Sequence, residues 1–190
     1  MTLKRGLYAI TPQRLDLEKV RRALDGGIAL LQYRAKPPRR EEALSLVSLA
    51  KEYGVPLIIN DDLSLARDVA AAGAHLGRDD GAFEKRNLIV GISCYDELPR
   101  ARAAVAAGAD YIAFGSVFAS PTKPNAVRAP LSLFKEAQAL GVPLCAIGGI
   151  TLENAPRLVE AGADLLAVIS DLFDAPDITA RARQYARLFA

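Results

Sequence analysis

An amide and two basic side chains are spaced two residues apart at the end of an apolar stretch of the chain. Gln32 lies near the end of the apolar segment 28–33, and Arg34 and Lys36 follow it. Because side chains alternate along an extended backbone, all three are expected on one face. A guanidinium and an ammonium there suit a multiply charged oxyanion, and the Gln32 amide offers a donor and an acceptor to a neutral heteroatom ring. The alternative is a basic surface loop before a helix that starts near Pro37.

Acidic side chains follow the next two apolar segments. Asn60 ends the segment 56–60, Asp61 and Asp62 come directly after it, and Asp80 follows the fourth segment. Carboxylates in such a place are costly without a partner. A divalent hard cation, with its shell completed by a phosphorylated substrate, would be a natural partner. Two alternatives stay open: Asp61 or Asp62 could cap the next helix, and Asp80 could be a solvated loop acid.

His75 and Ser93 are further candidates near segment ends. His75 lies inside the segment 74–76, and Ser93 ends the segment 88–93. We expect no base near Ser93, which disfavours a covalent serine nucleophile and favours a hydrogen bond to substrate. His75 is interpreted equally well as a hydrogen-bonded interior side chain or as a substrate contact.

A glycine-rich turn and a long loop complete the set of candidates. Gly148 and Gly149 follow the seventh apolar segment, and Ser170 follows the eighth. Backbone amides at these two places form the recurrent phosphate site of eight-stranded barrels. The alternative is a tight turn before a helix that Thr151 caps. A loop after the sixth segment places Lys123 where it could add a third positive charge to the anion site.

Eight short apolar segments alternate with amphipathic stretches, and this order predicts what positions the candidates. The segments lack strict alternation of apolar and polar residues, as expected for parallel strands buried on both faces. Eight units predict an α/β protein with a single (β/α)8 barrel of parallel strands, short loops and one domain over residues 1–190; five or six would predict an open sheet. All candidate residues would then lie at the carboxyl-terminal end of the barrel. The predicted strands are 6–10, 28–33, 56–60, 74–76, 88–93, 111–114, 143–147 and 165–169; the predicted helices include 40–53, 96–107, 131–140 and 154–161, with only a turn or loop near 83–86.

Composition excludes several classes of function. The 190 residues carry a net charge of +2, no tryptophan and 6% aromatics, which disfavours a nucleic-acid partner. A single histidine excludes a multi-histidine zinc site, and apolar runs stay far below the roughly 18 residues of a membrane span. Cys94 and Cys145 have neither metal-ligand nor redox spacing, so we expect a reducing compartment, the cytoplasm.

These residues, in this order, resemble the thiamine phosphate synthase (thiamine-phosphate pyrophosphorylase) family over nearly the whole chain. The resemblance implies a (β/α)8 barrel and a transferase that joins hydroxymethylpyrimidine diphosphate to a carboxylated thiazole phosphate. It implies thiamine phosphate, pyrophosphate and CO2 as products, Mg2+ as cofactor, and a dissociative displacement in which pyrophosphate leaves first. The motifs that carry it are Gln32-x-Arg34-x-Lys36, Asn60-Asp61-Asp62, His75-Leu76-Gly77 through Asp80, Thr122-Lys123 and Gly148-Gly149-Ile150-Thr151.

The resemblance also implies a role for each matching residue. Those that would bind the pyrimidine diphosphate are Gln32, Tyr33, Arg34, Ala35, Lys36, Asn60, Ser93 and Lys123, and of these Arg34, Lys36, Ser93 and Lys123 would be catalytic. Those that would bind the thiazole phosphate are Ser120, Pro121, Thr122, Gly149, Ile169 and Ser170. Asp61 and Asp80 would bind the metal.

Four positions depart from the family pattern, and two other functions remain alternatives. Tyr95 stands where many members have His, Arg78 where Gln is usual, Ser120 where Thr is common and Ser116 where Pro is frequent. A thiazole tautomerase of the same fold would lack the metal acids and the diphosphate cations, and a non-catalytic ligand-binding regulatory barrel would leave the acids unexplained. We expect small phosphorylated substrates as partners and no membrane; a homodimer is one assembly that the sequence permits.

Overall fold

Eight short parallel strands pair edge to edge in chain order, and the last pairs with the first to close a barrel. This arrangement confirms the predicted (β/α)8 fold. The computed structural model describes residues 3–78, 80, 83–119 and 127–190. The strands are β1 Gly6–Ile10, β2 Leu30–Tyr33, β3 Leu57–Asn60, β4 Gly73–Leu76, β5 Ile89–Tyr95, β6 Tyr111–Phe114, β7 Leu144–Ile147 and β8 Leu165–Val168.

Helices cover the outside of the barrel in most of the connections. They are α1 Leu17–Asp25, α2 Arg40–Glu52, α3 Leu63–Asp68, α4 Leu98–Ala106, α5 Ser132–Ala137, α6 Ala155–Ala161, α7 Ser170–Phe173 and α8 Ile178–Ala186, with 3-10 turns at 138–140 and 187–189. Between β4 and β5, the part of the connection that the structure describes contains no helix. This outcome agrees with the turn or loop predicted near 83–86. None of the described helices is long and apolar enough to cross a membrane.

Side chains alternate between the barrel interior and the layer under the helices. Along β1, Tyr8 and Ile10 pack inside the barrel, whereas Leu7 and Ala9 pack outward against the helices. Both sets are almost fully buried, because each strand is covered on its two faces. This period of two decides which strand residues can reach the interior and the mouth of the barrel.

Candidate active site

Two side chains that follow β1 hold the backbone of the predicted anion-binding segment. Thr11 donates its backbone N–H to Gln32 O (2.9 Å), and its Oγ1 accepts the backbone N–H of Arg34 (2.9 Å). Gln13 bonds the next part of the segment twice, from Nε2 to Lys36 O (2.8 Å) and from Lys36 N to Oε1 (3.2 Å). Sequence reasoning missed both residues, although polar residues directly after the first strand were the available signal. Together they fasten the backbone of residues 32–36 to the segment that follows β1.

The Thr11→Val variant should lose stability because it leaves the Arg34 amide without its acceptor. Thr11 is fully buried, and an unsatisfied, partly buried donor costs about 1–2 kcal/mol. We expect that loss of unfolding free energy in urea titrations, with faster hydrogen exchange at the Arg34 amide. Thr179→Val is the matched control, since it removes a hydroxyl from an exposed hydrogen bond to Arg22 O. Equal losses in the two variants would contradict the assignment.

The side chains of residues 32–36 lie in three places: the barrel interior, the mouth of the barrel and the layer under the helices. Gln32 is buried inside the barrel, and Lys36 reaches across to Asp61 (Nζ to Oδ2, 2.8 Å). Arg34 is partly exposed, and its guanidinium has no hydrogen bond or ion pair to any residue in the described ranges. Tyr33 points outward and bonds Glu42 of α2 (2.7 Å), so it can contribute only its backbone to a ligand at the mouth. Ala35 likewise packs against the helix-side core.

The acids that follow β3 have different roles. Asp62 is the N-cap of α3, and its Oδ1 accepts the Leu65 N–H (2.8 Å). Asp61 adopts a left-handed backbone (φ 60°) and donates its N–H to His75 O (2.8 Å). The structure therefore assigns the cap to Asp62 and leaves the Asp61 carboxylate pointing at Lys36. Asn60 is half-buried beside His75 in the β3–β4 register.

The second predicted metal ligand, Asp80, comes after the neighbouring strand β4. Its side chain folds back to accept the Gly77 N–H at 2.5 Å. Among the described residues, no group of three or more His, Cys, Asp or Glu could hold a metal ion. Mg2+ is typically bound by one or two carboxylates together with substrate phosphates. The hard oxygen donors of Asp61 and Asp80, at the same end of adjacent strands, fit that mode.

Ser93 has a base beside it, contrary to the expectation from sequence. His75 Nε2 lies 2.9 Å from Ser93 Oγ, because both side chains point inward from paired strands β4 and β5. Burial lowers the pKa of His75 to about 4, although nearby Asp61 acts to raise it. The imidazole is therefore neutral near pH 7. The predicted barrel makes these two strands neighbours but does not give their register, so the contact was missed.

Arg100 of α4 ties the ends of β4 and β5 together and was also missed. Its guanidinium donates to Ser93 O (2.7 Å) and Gly77 O (3.1 Å). It also lies 5.8 Å from the centre of the Tyr95 ring, and Arg78 lies 4.8 Å from the same ring. Tyr95 and Arg78, two of the departures from the family pattern, thus contact each other, as expected for a cation–π pair.

The glycine turn after β7 approaches the loop after β6 closely. Gly149 has φ 63°, and a Cβ there would lie 2.3 Å from Ala119 O. Asn154 Nδ2 donates to Gly149 O (3.0 Å) and holds the turn. Directly after the neighbouring strand β8, Ile169 is half-buried, and Ser170 is exposed at the start of α7. The remaining predicted residues of this side, Ser120, Pro121 and Thr122, lie outside the described residues, as does Lys123.

The candidate site places cations, acids and a glycine turn at the carboxyl ends of the strands, which is the end of a (β/α)8 barrel where enzymes of this fold carry their active sites. A family model described as thiamine monophosphate synthase matches residues 7–172. A thiamine-phosphate synthase of Azoarcus sp. (strain BH72) is 57% identical and covers 98% of both chains. That of Thiobacillus denitrificans is 48% identical over 100% of this chain and 97% of the relative.

One solved structure supports the same assignment. Thiamine phosphate pyrophosphorylase from Pyrococcus furiosus superimposes with a TM-score of 0.88 at 32% identity, over 98% of this chain and 96% of that one. The chain belongs to the thiamine monophosphate synthase family.

Proposed function

We propose that this chain is a thiamine-phosphate synthase, a transferase that joins hydroxymethylpyrimidine diphosphate to a carboxylated thiazole phosphate. The products are thiamine phosphate, pyrophosphate and CO2. The observation that carries the proposal is the contact between Lys36 and Asp61 beside Arg34. This contact joins the cation proposed for the diphosphate to the acid proposed for the metal, directly after the neighbouring strands β2 and β3. The relatives of this chain bear the name thiamine-phosphate synthase.

The chain's own residues account for departure of the leaving group. Arg34, Lys36 and Lys123 bind the diphosphate and neutralise the charge that grows on it as the carbon–oxygen bond breaks. Asp61 and Asp80 would hold Mg2+, and the ion would supply further positive charge to the diphosphate when bound. Lys36 exchanges its bond to Asp61 for one to the diphosphate when the substrate enters. Pairing in the absence of substrate keeps both side chains near their working positions.

Bond formation needs orientation and no general base. Loss of pyrophosphate leaves a methylene cation delocalised into the aminopyrimidine, and the thiazole nitrogen attacks it with its lone pair. Gln32, Asn60 and Ser93 orient the pyrimidine ring, and the backbone near Gly149 and Ser170 binds the thiazole phosphate. Ser120, Pro121 and Thr122 contact the rest of the thiazole. Loss of the carboxylate as CO2 leaves an electron pair on the ring carbon that carried it, and a proton from solvent completes thiamine phosphate. Holding both reactants in line supplies much of the rate.

A coupling assay separates this function from the two alternatives. The purified protein is incubated with both substrates and Mg2+, and thiamine phosphate and pyrophosphate are quantified together. A thiazole tautomerase would convert the thiazole phosphate alone, without diphosphate or metal. A regulatory barrel would yield neither product, and either outcome would overturn the proposal.

The Arg34→Ala variant should lose most of the coupling rate and keep its fold. A guanidinium without a partner in the described residues contributes little to stability, whereas removing one donor to a developing charge costs about 100- to 1000-fold in kcat. The matched control is Arg39→Ala, which removes a neighbouring guanidinium that is exposed and paired with Glu42. Unchanged turnover in Arg34→Ala would remove Arg34 from the mechanism.

We propose further that one domain holds both subsites and works in the cytoplasm, where it meets small phosphorylated molecules and no nucleic acid. Support for a reducing compartment comes from Cys94 and Cys145, which are both buried and unpaired. A homodimer is the assembly to look for by light scattering.

A further inference from the structure

A continuous chain of side-chain hydrogen bonds crosses the barrel interior beneath the proposed pyrimidine site. Gln32 Nε2 donates to Tyr8 OH (2.6 Å), and Tyr8 OH lies 2.8 Å from Tyr111 OH. Tyr111 OH lies 3.0 Å from His75 Nδ1, and His75 Nε2 lies 2.9 Å from Ser93 Oγ. The five side chains come from β2, β1, β6, β4 and β5. The hydrogen-bond chain therefore connects Gln32 to Ser93 through Tyr8, Tyr111 and His75, which have no assigned role.

Burial makes these hydrogen bonds obligatory. Tyr8 is 1% exposed, Tyr111 0% and His75 7%. A buried hydroxyl or imidazole without a partner is costly, and the described residues contain no buried side-chain nitrogen or oxygen that lacks one. Apolar residues of the barrel interior surround the two tyrosines. Each polar group therefore depends on the next one along the chain.

The number of available protons fixes the donor and the acceptor in each of these hydrogen bonds. Tyr8 OH accepts from Gln32, so its own proton must go to Tyr111, because a second incoming donor would leave that proton without an acceptor. Tyr111 then donates to His75 Nδ1. Because Nδ1 accepts this bond, the ring proton lies on Nε2 and is donated to Ser93 Oγ. The Ser93 hydroxyl proton is left to point into the site.

Packing keeps the central member of the chain in place. The Tyr111 ring stacks on the His75 ring, with centroids 5.5 Å apart and planes 26° from parallel. It lies nearly perpendicular to the Tyr8 ring, with 82° between the planes. The ring fits because residue 91 on β5 is glycine. A Cβ at Gly91 would lie 2.0 Å from Tyr111 Cζ.

We propose that Tyr8, Tyr111 and His75 are positioning residues that hold His75 as the Nε2–H tautomer and so make Ser93 a hydrogen-bond donor toward the substrate. The same chain orients the Gln32 amide at its other end, which leaves Oε1 as an acceptor for the pyrimidine. The chemical part of this inference rests on the proposed synthase function. The tautomer itself does not, because it is a property of the folded protein alone.

The test is nitrogen NMR of the single histidine in the sequence. With ¹⁵N-labelled histidine at neutral pH, the two ring nitrogens report directly which one carries the proton. We expect one Nε2–H form in the wild type and a mixture of tautomers in Tyr111→Phe, because the phenyl ring keeps the shape and removes the donor to Nδ1. Tyr8→Phe is the second variant, in case Tyr111→Phe does not fold. An Nδ1–H form in the wild type, or an unchanged spectrum in both variants, would overturn the proposal.

Activity gives the second readout, with Tyr53→Phe as the matched control. Tyr53 bonds Asp25 (2.8 Å) at the end of α2, before the amino-terminal end of β3 and so at the opposite end of the barrel from the site. We expect Tyr111→Phe to lower kcat about tenfold, the equivalent of one hydrogen bond, with little change in KM, while Tyr53→Phe stays near the wild type. A wild type that shows the Nε2–H form without coupling activity would refute the synthase function and leave the hydrogen-bond chain standing. A higher KM with an unchanged kcat in Tyr111→Phe would refute the positioning role.

Discussion

The Asp61→Asn variant is expected to lose at least about a hundredfold in the rate of thiamine phosphate formation and almost nothing in stability. The substitution removes the charge that would hold Mg2+ and keeps the size of the side chain. Asp61 has a left-handed backbone, φ 60°, which asparagine tolerates as well as aspartate. Its ion pair with Lys36 is 64% exposed on the lysine side and 33% on the aspartate side, and such surface pairs contribute about 0–1 kcal/mol.

The next residue offers a matched control for this prediction. Asp62→Asn is the same chemical change one position further along, at the N-cap of α3, and asparagine caps helices as well as aspartate. We expect normal turnover from Asp62→Asn. We also expect Mn2+, followed by electron paramagnetic resonance with pyrophosphate present, to bind Asp62→Asn and to bind Asp61→Asn far more weakly. Equal activity and equal metal binding in the two variants would remove Asp61 from the metal site.

The Gly91→Ala variant is expected to lose about 2–4 kcal/mol of unfolding free energy, since it overpacks the barrel interior and breaks buried hydrogen bonds. The added methyl would lie 2.0 Å from Tyr111 Cζ and 2.4 Å from its hydroxyl oxygen. The ring cannot move away freely, because it is fully buried and bonded to Tyr8 and His75. The cost is therefore far above that of an ordinary glycine to alanine change in a strand.

A double-mutant cycle isolates the clash from other effects of the methyl group. In a Tyr111→Leu background the aromatic ring is absent, so Gly91→Ala should cost much less there than in the wild type. Urea unfolding of the four proteins measures the difference. An equal cost in both backgrounds would show that the ring does not limit residue 91.

Local sequence was enough for the architecture but not for the roles of neighbouring residues within it. The order of apolar segments predicted eight strands, and β6 Tyr111–Phe114 has the bounds that the sequence predicts. Apolar content alone could not distinguish the first residue of a strand from the apolar residues that precede it. The predicted strand 28–33 therefore starts too early, because β2 begins at Leu30. Whether Asp61 or Asp62 caps α3 was likewise undecidable, because either carboxylate can reach a free N–H of the first turn.

The sequence by itself determined the barrel and the end of it that carries the chemistry, since period, strand number and the polar residues after each strand are local properties. It also placed Gln32, Arg34 and Lys36 at that end. Only the tertiary structure decided that Lys36 contacts Asp61 and that His75 meets both Ser93 and Tyr111. Those contacts join residues from, or directly after, different strands, and they depend on strand register and side-chain geometry, which no local pattern specifies.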